Sequence, residues 1–120
     1  MDRTRIKHIV VAEDEPLLRT AVMDRMEMIT SDKEILISGT QESFIIIRAL
    51  ADPETIVILD GSVAMLAEVD LKDLDPHRVV VFSGSADFLM KAVEAGLPIV
   101  QKGAASKELT EIVLSMLDLE

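Results

Sequence analysis

The chain has 120 residues, a formal net charge of −10, 49% apolar residues, no cysteine, and phenylalanine as its only aromatic residue. That is one domain's worth of chain with a globular composition, and its core must be aliphatic. Disulfides, thiolate metal sites and cysteine nucleophiles are excluded, and the acidic balance argues against nonspecific binding to nucleic acid or anionic membranes, which needs a basic face.

The N-terminal stretch MDRTRIKHIVVA is basic, but its apolar run is too short for a signal sequence and meets acids at once. No stretch approaches the length of a membrane span. The expected location is therefore the cytoplasm.

In chain order, KHIVVA (7–12) reads as a first strand that stops at Glu13, Asp14 and Glu15. Pro16 suits a first helical position, and Leu17, Leu18, Ala21, Val22, Arg25, Met26 and Ile29 follow at helical spacing over 16–29. EILISG (34–39) is the second strand and SFIIIRALA (43–51) the second helix, whose FIII run reads as core. TIVILD (55–60) is the third strand. GSVAMLAEVDLKDLDP (61–76) is acidic and irregular and holds one short helix at most. RVVVFS (78–83) is the fourth strand, SADFLMKAVEAG (85–96) a helix with Ser85 as N-cap and Gly96 as its stop, PIVQK (98–102) the fifth strand, and 106–119 a last helix opened by Ser106.

The strands are near-continuous apolar runs, as expected where both faces are covered. Strand–helix alternation of this kind predicts a doubly wound, five-stranded parallel α/β sheet in a single domain, 1–120, with a short or irregular third helix. The chain stops with its last helix, so no output domain is expected. In such sheets ligands bind outside the carboxyl ends of the strands.

Those ends carry Glu13, Asp14 and Glu15 after strand one, Asp60 after strand three, Ser83 after strand four and Lys102 after strand five. Singly, each has an ordinary explanation: helix-start acids, a turn aspartate, a loop serine, a solvated lysine. Jointly, they gather carboxylates that repel one another beside a dry core, a conflict that a divalent cation resolves. Hard oxygen ligands select Mg²⁺, which readily shares its shell with a phosphoryl group. A hydroxyl and an ammonium nearby complete a site for a transferring phosphoryl, with an aspartate as nucleophile.

VVAEDEPLLR, TIVILDG, VVVFSGSAD and PIVQKGAASKEL stand in the order of, and resemble, the response-regulator receiver domains of two-component signalling. The resemblance spans essentially the whole chain and implies a flavodoxin-like fold. It implies that Glu13 and Asp14 hold Mg²⁺, with Glu13 where Asp is more usual, and that Asp60 is a phosphoacceptor and metal ligand. Ser62 would offer its backbone carbonyl to the metal, Ser83 its hydroxyl to the phosphoryl, and Lys102 its ammonium to the phosphoryl oxygens. The implied partners are a sensor histidine kinase or a histidine phosphotransfer protein and a downstream protein target, with dimerisation on phosphorylation and docking through the fourth helix, fifth strand and fifth helix. The pattern departs from the family in Gly61-Ser62-Val63-Ala64, in the short interval that follows, in Gly103 after the lysine, and in Ile99 where an aromatic often stands.

Two other readings stay open. One is a pseudo-receiver that is not phosphorylated and serves only as an interaction module. The other is a phosphatase of the haloacid-dehalogenase kind, which needs a second Asp two residues after its nucleophile, where this chain has Ser62. His8 and His77 read as ordinary surface histidines.

Overall fold

The structure, a computed structural model, describes residues 5–103 and 106–118. The strands are β1 (His8–Ala12), β2 (Leu36–Thr40), β3 (Thr55–Asp60), β4 (Val79–Ser83) and β5 (Ile99–Gln101). The helices are α1 (Pro16–Ile29), α2 (Ser43–Ala51), α3 (Gly61–Leu66), α4 (Ala86–Glu94) and α5 (Ser106–Asp118), and a 3-10 turn spans Leu71–Asp73. All five strands are parallel, in the order β2-β1-β3-β4-β5, as the alternation predicts.

Successive side chains of a strand point to opposite faces, and the central strands divide accordingly. Ile9, Val11, Ile56, Ile58, Val80 and Phe82 join one buried cluster with residues of α1 and α5. Val10, Ala12, Val57, Leu59, Val79 and Val81 join a second with residues of α2, α3 and α4. β3 is buried along its whole length. β2 is an edge strand, which explains why it departs from the expected two-sided coverage: it begins at Leu36, which is exposed, and runs on to Thr40.

The FIII run is the main departure from the expected core. Only Ile46 of it is buried, while Phe44, Ile45 and Ile47 are exposed, because a helix against a sheet buries one stripe only. His8 departs as well: it is half-buried, with Nε2 2.7 Å from Ser38 Oγ across the β1–β2 pair.

The expected irregularity of 61–76 has a specific cause. α3 ends after Leu66 with Ala67 as C-cap, Glu68 N–H donating to Met65 O (3.1 Å) and Val69 N–H to Ala64 O (3.1 Å). α4 ends in the same way, with Gly96 N–H to Val93 O and Leu97 N–H to Ala92 O. Both are Schellman closures, which need a left-handed residue after the C-cap. Gly96 meets that need at φ 82°, but Glu68 must adopt φ 56°. An L side chain is strained there, so Glu68→Gly is expected to raise stability by about 0.5–1 kcal/mol in urea unfolding. Loss of stability would mean that the Glu68 side chain contributes more than the strain removes.

Burial lowers the pKa of His8 from its ordinary value of 6.5, against an opposing pull from Asp52. The folded chain thus binds this proton less tightly than the unfolded chain. Stability should therefore fall as pH drops through 6.5 toward the lowered value. His8→Gln should flatten that fall in unfolding measured from pH 7.5 to 5, and an unchanged slope would contradict the assignment.

Candidate functional site

Strand parity assembles the site. Glu13 lies two residues beyond Val11, Asp60 two beyond Ile58, and Lys102 two beyond Val100, all three of which belong to the α1/α5-side cluster. The ladder continues past the strand ends through Glu13 N–H to Thr40 O (3.0 Å) and Lys102 N–H to Ser83 O (3.0 Å). Glu13, Asp60 and Lys102 therefore meet on one face of the carboxyl edge, beside the β1/β3 junction where strand order reverses.

The Lys102 ammonium contacts both carboxylates. It donates to Asp60 Oδ1 and lies 2.7 Å from Glu13 Oε1. The second contact is an ion pair that reaches the buried Glu13 carboxylate. The other oxygen, Glu13 Oε2, accepts from Glu15 N–H at 3.0 Å. Lys102 Nζ also lies 5.7 Å from the centroid of the Phe82 ring, within cation–π range.

Glu13 and Asp60 are buried, whereas Asp14 is exposed. One carboxylate oxygen from each of the three lies within 4.8 Å of the other two. Burial, the largest influence, raises the Glu13 pKa; Lys102 and the Glu15 N–H oppose it, and Asp14 and Asp60 add to it. Burial likewise pulls on Lys102 in the direction of losing its proton, but Asp60 and Glu13 together outweigh it and hold its pKa above the ordinary value.

The acids divide their work. Glu15 is the N-cap of α1, accepting from Leu17 N–H (3.2 Å) and Leu18 N–H (2.6 Å). Asp60 is the N-cap of α3: its Oδ2 accepts from Ser62 N–H (2.9 Å) and Val63 N–H (3.2 Å). Its two oxygens are thus distinct, one fixed by backbone donors and one facing the ammonium. Ser62 enters through its backbone, and its side chain is exposed.

Ser83 stands apart from that trio. Two residues beyond Val81, it follows the parity of the opposite face, and its Oγ accepts from Ser85 N–H at 3.1 Å. The Ser85 side chain in turn caps α4 through Phe88 N–H at 3.2 Å, as its position in the sequence predicts. Ser83 is buried against Gly61, where a Cβ would lie 2.9 Å from Ser83 Oγ and 3.0 Å from Phe88 Cδ2.

Gly61, Phe82 and Phe88 are not among the site residues expected from the sequence. The signal for Gly61 was a glycine directly after a strand-terminal acid. For the two phenylalanines no local signal exists, since only the packing brings them to the site. Gly61→Ala should cost stability: overpacking beside buried groups costs about 1–3 kcal/mol, more than the helix gains from losing a glycine, at most about 1 kcal/mol. Urea unfolding checks this, and a net gain would show that Ser83 and Phe88 move aside freely.

The donor set fits a hard divalent cation. Glu13, Asp14 and Asp60 each bring a carboxylate oxygen to one cluster, two of them from buried side chains beside the Lys102 ammonium.

No protein-family model matches the sequence, and no curated protein does. Solved structures do match. One is a LuxR-family DNA-binding response regulator from Staphylococcus aureus, 22% identical, with a TM-score of 0.65 over 93% of this chain and 99% of that one. Another is a response regulator receiver domain from Rhodospirillum rubrum, 16% identical, with a TM-score of 0.56 over 93% of this chain and 92% of that one. No helix among the described residues is long and apolar enough to cross a membrane. With its parallel order β2-β1-β3-β4-β5, the chain has the flavodoxin-like fold of response-regulator receiver domains.

Proposed function

We propose that the chain is a phosphoacceptor receiver of a two-component phosphorelay. The observation that carries this reading is the pairing of Asp60 Oδ1 with the Lys102 ammonium at a carboxylate-rich strand edge. Asp60 attacks the phosphorus of a phosphohistidine on a sensor histidine kinase or a histidine phosphotransfer protein. The P–N bond breaks, its electron pair stays on the imidazole nitrogen, and an acyl phosphate forms on Asp60. Glu13, Asp14, Asp60 and the Ser62 carbonyl would hold Mg²⁺, which supplies charge neutralisation for the phosphoryl oxygens.

The chain's own residues supply positioning. The backbone donors of Ser62 and Val63 hold the Asp60 carboxylate in one orientation. Lys102 is already at Asp60 and passes from its carboxylate to the phosphoryl oxygens as they arrive. The Ser83 hydroxyl donates to the phosphoryl from the opposite side of the strand edge. The chemistry is confined to forming and hydrolysing this one bond.

The phosphorylation state then biases docking of a downstream protein target, and dimerisation, through α4, β5 and α5, where Met90 and Val93 stand exposed. Intact-mass measurement with a small phosphodonor and Mg²⁺ tests the reading. The expected result is the mass gain of one phosphoryl group, lost in Asp60→Asn and in metal chelator. No gain under any donor would instead favour the pseudo-receiver. Turnover of a small phosphate ester that disappears in Asp60→Asn would favour the phosphatase.

A further inference from the structure

We propose that the groove between α2 and the segment 67–74 docks a basic amphipathic helix of a partner protein. α2 turns Ile46 and Ala49 into the core and leaves Phe44 and Ile47 exposed at 62% and 50%. Phe44, Ile47 and Ala51 recur at helical spacing and form an apolar stripe along its outer side.

That stripe borders an open groove of about 330 Å³. Its apolar lining comes from Ile47 and Leu50 of α2 and from Val69 and Leu74 across it. Its charged lining is Glu68, Asp70 and Asp73, with no base among the described residues that line it. Arg48, on the same helix, lies over the Phe44 ring, 5.6 Å from its centroid.

Apolar surface beside a one-signed rim selects a partner that is apolar on one side and basic at its border. A helix laid beside another helix presents anchors at the spacing this stripe offers. A second copy of the chain fits poorly. A two-fold pairing through this groove would bring two copies of the acidic rim into one interface, each on a chain that carries −10. Nucleic acid and anionic lipid are repelled by the same rim.

The larger groove on the other side of Val69, about 540 Å³, does not share this selectivity. It shares Glu68 and Asp70 with the smaller groove but adds Lys72, Lys91 and Glu94, so its lining carries both signs. The proposed groove is also separate from the Asp60 site, so the inference stands without phosphoryl transfer.

The test is an NMR titration of the full chain with a synthetic helical peptide of roughly five turns, leucines on one face and lysines bordering them. Saturable amide shifts confined to 44–51 and 67–74 are expected. Ile47→Ser and Asp73→Lys, both at exposed positions, should each weaken binding by about tenfold or more. Asp32→Lys, the same charge change at an exposed position after α1, should leave it within about twofold. Thermal unfolding of each variant confirms that it is folded. The proposal is overturned if shifts spread to Glu13, Asp14 and α5, if Asp32→Lys weakens binding as much as Asp73→Lys, or if no saturation occurs. It is also overturned if sedimentation shows a dimer of the chain itself that Ile47→Ser dissociates.

Discussion

One ammonium holds the carboxyl edge of this sheet together. Lys102 reaches Asp60 Oδ1 and Glu13 Oε1 at once, while the strands beneath bury both acids. A buried carboxylate without a counter-charge would take up a proton or cost stability. The Lys102 ammonium relieves that conflict only in part: burial still holds the Glu13 pKa above its ordinary value, with Asp14 and Asp60 adding to it. An edge that is under-neutralised in this way is suited to a divalent cation and, with it, to a phosphoryl group.

The rest of the molecule serves that edge through parity and through helix starts. Parity places residues 13, 60 and 102 on one face because each lies two beyond a member of the same aliphatic cluster. The helix starts fix the orientation of the acids. Glu15 is committed to α1, and one oxygen of Asp60 is committed to α3. Gly61 lets Ser83 of β4 and Phe88 of α4 come close to the start of α3. The short α3 and its Schellman closure then leave the chain free to form the groove wall at 67–74.

Much of this was legible in the sequence because the strands are strongly apolar and each ends in a residue of distinct chemistry. The bounds of α1, α2 and β3 are those read from spacing, since Pro16, Asp52-Pro53 and Gly61 punctuate them. The strand-end residues Glu13, Asp60 and Lys102 meet as expected, and Asp14 completes the acidic cluster. What could not be read was which side of an element faces out. FIII is as apolar as a core run, and only the docking of α2 shows that a single isoleucine of it is buried. Ser83 stands on the opposite parity from Lys102, a distinction that depends on strand phase. The end of α3 was obscure because its left-handed residue is glutamate rather than glycine.

The proposed chemistry rests on divalent-cation binding at Glu13, Asp14 and Asp60. The direct measurement is an NMR titration of the chain with Mg²⁺, alongside Asp14→Asn, which changes an exposed ligand without disturbing the buried pair. Saturable shifts centred on residues 13–14 and 60–62 are expected, with affinity weakened by about tenfold or more in the variant. Absence of saturable shifts there, or equal affinity in Asp14→Asn, would contradict it.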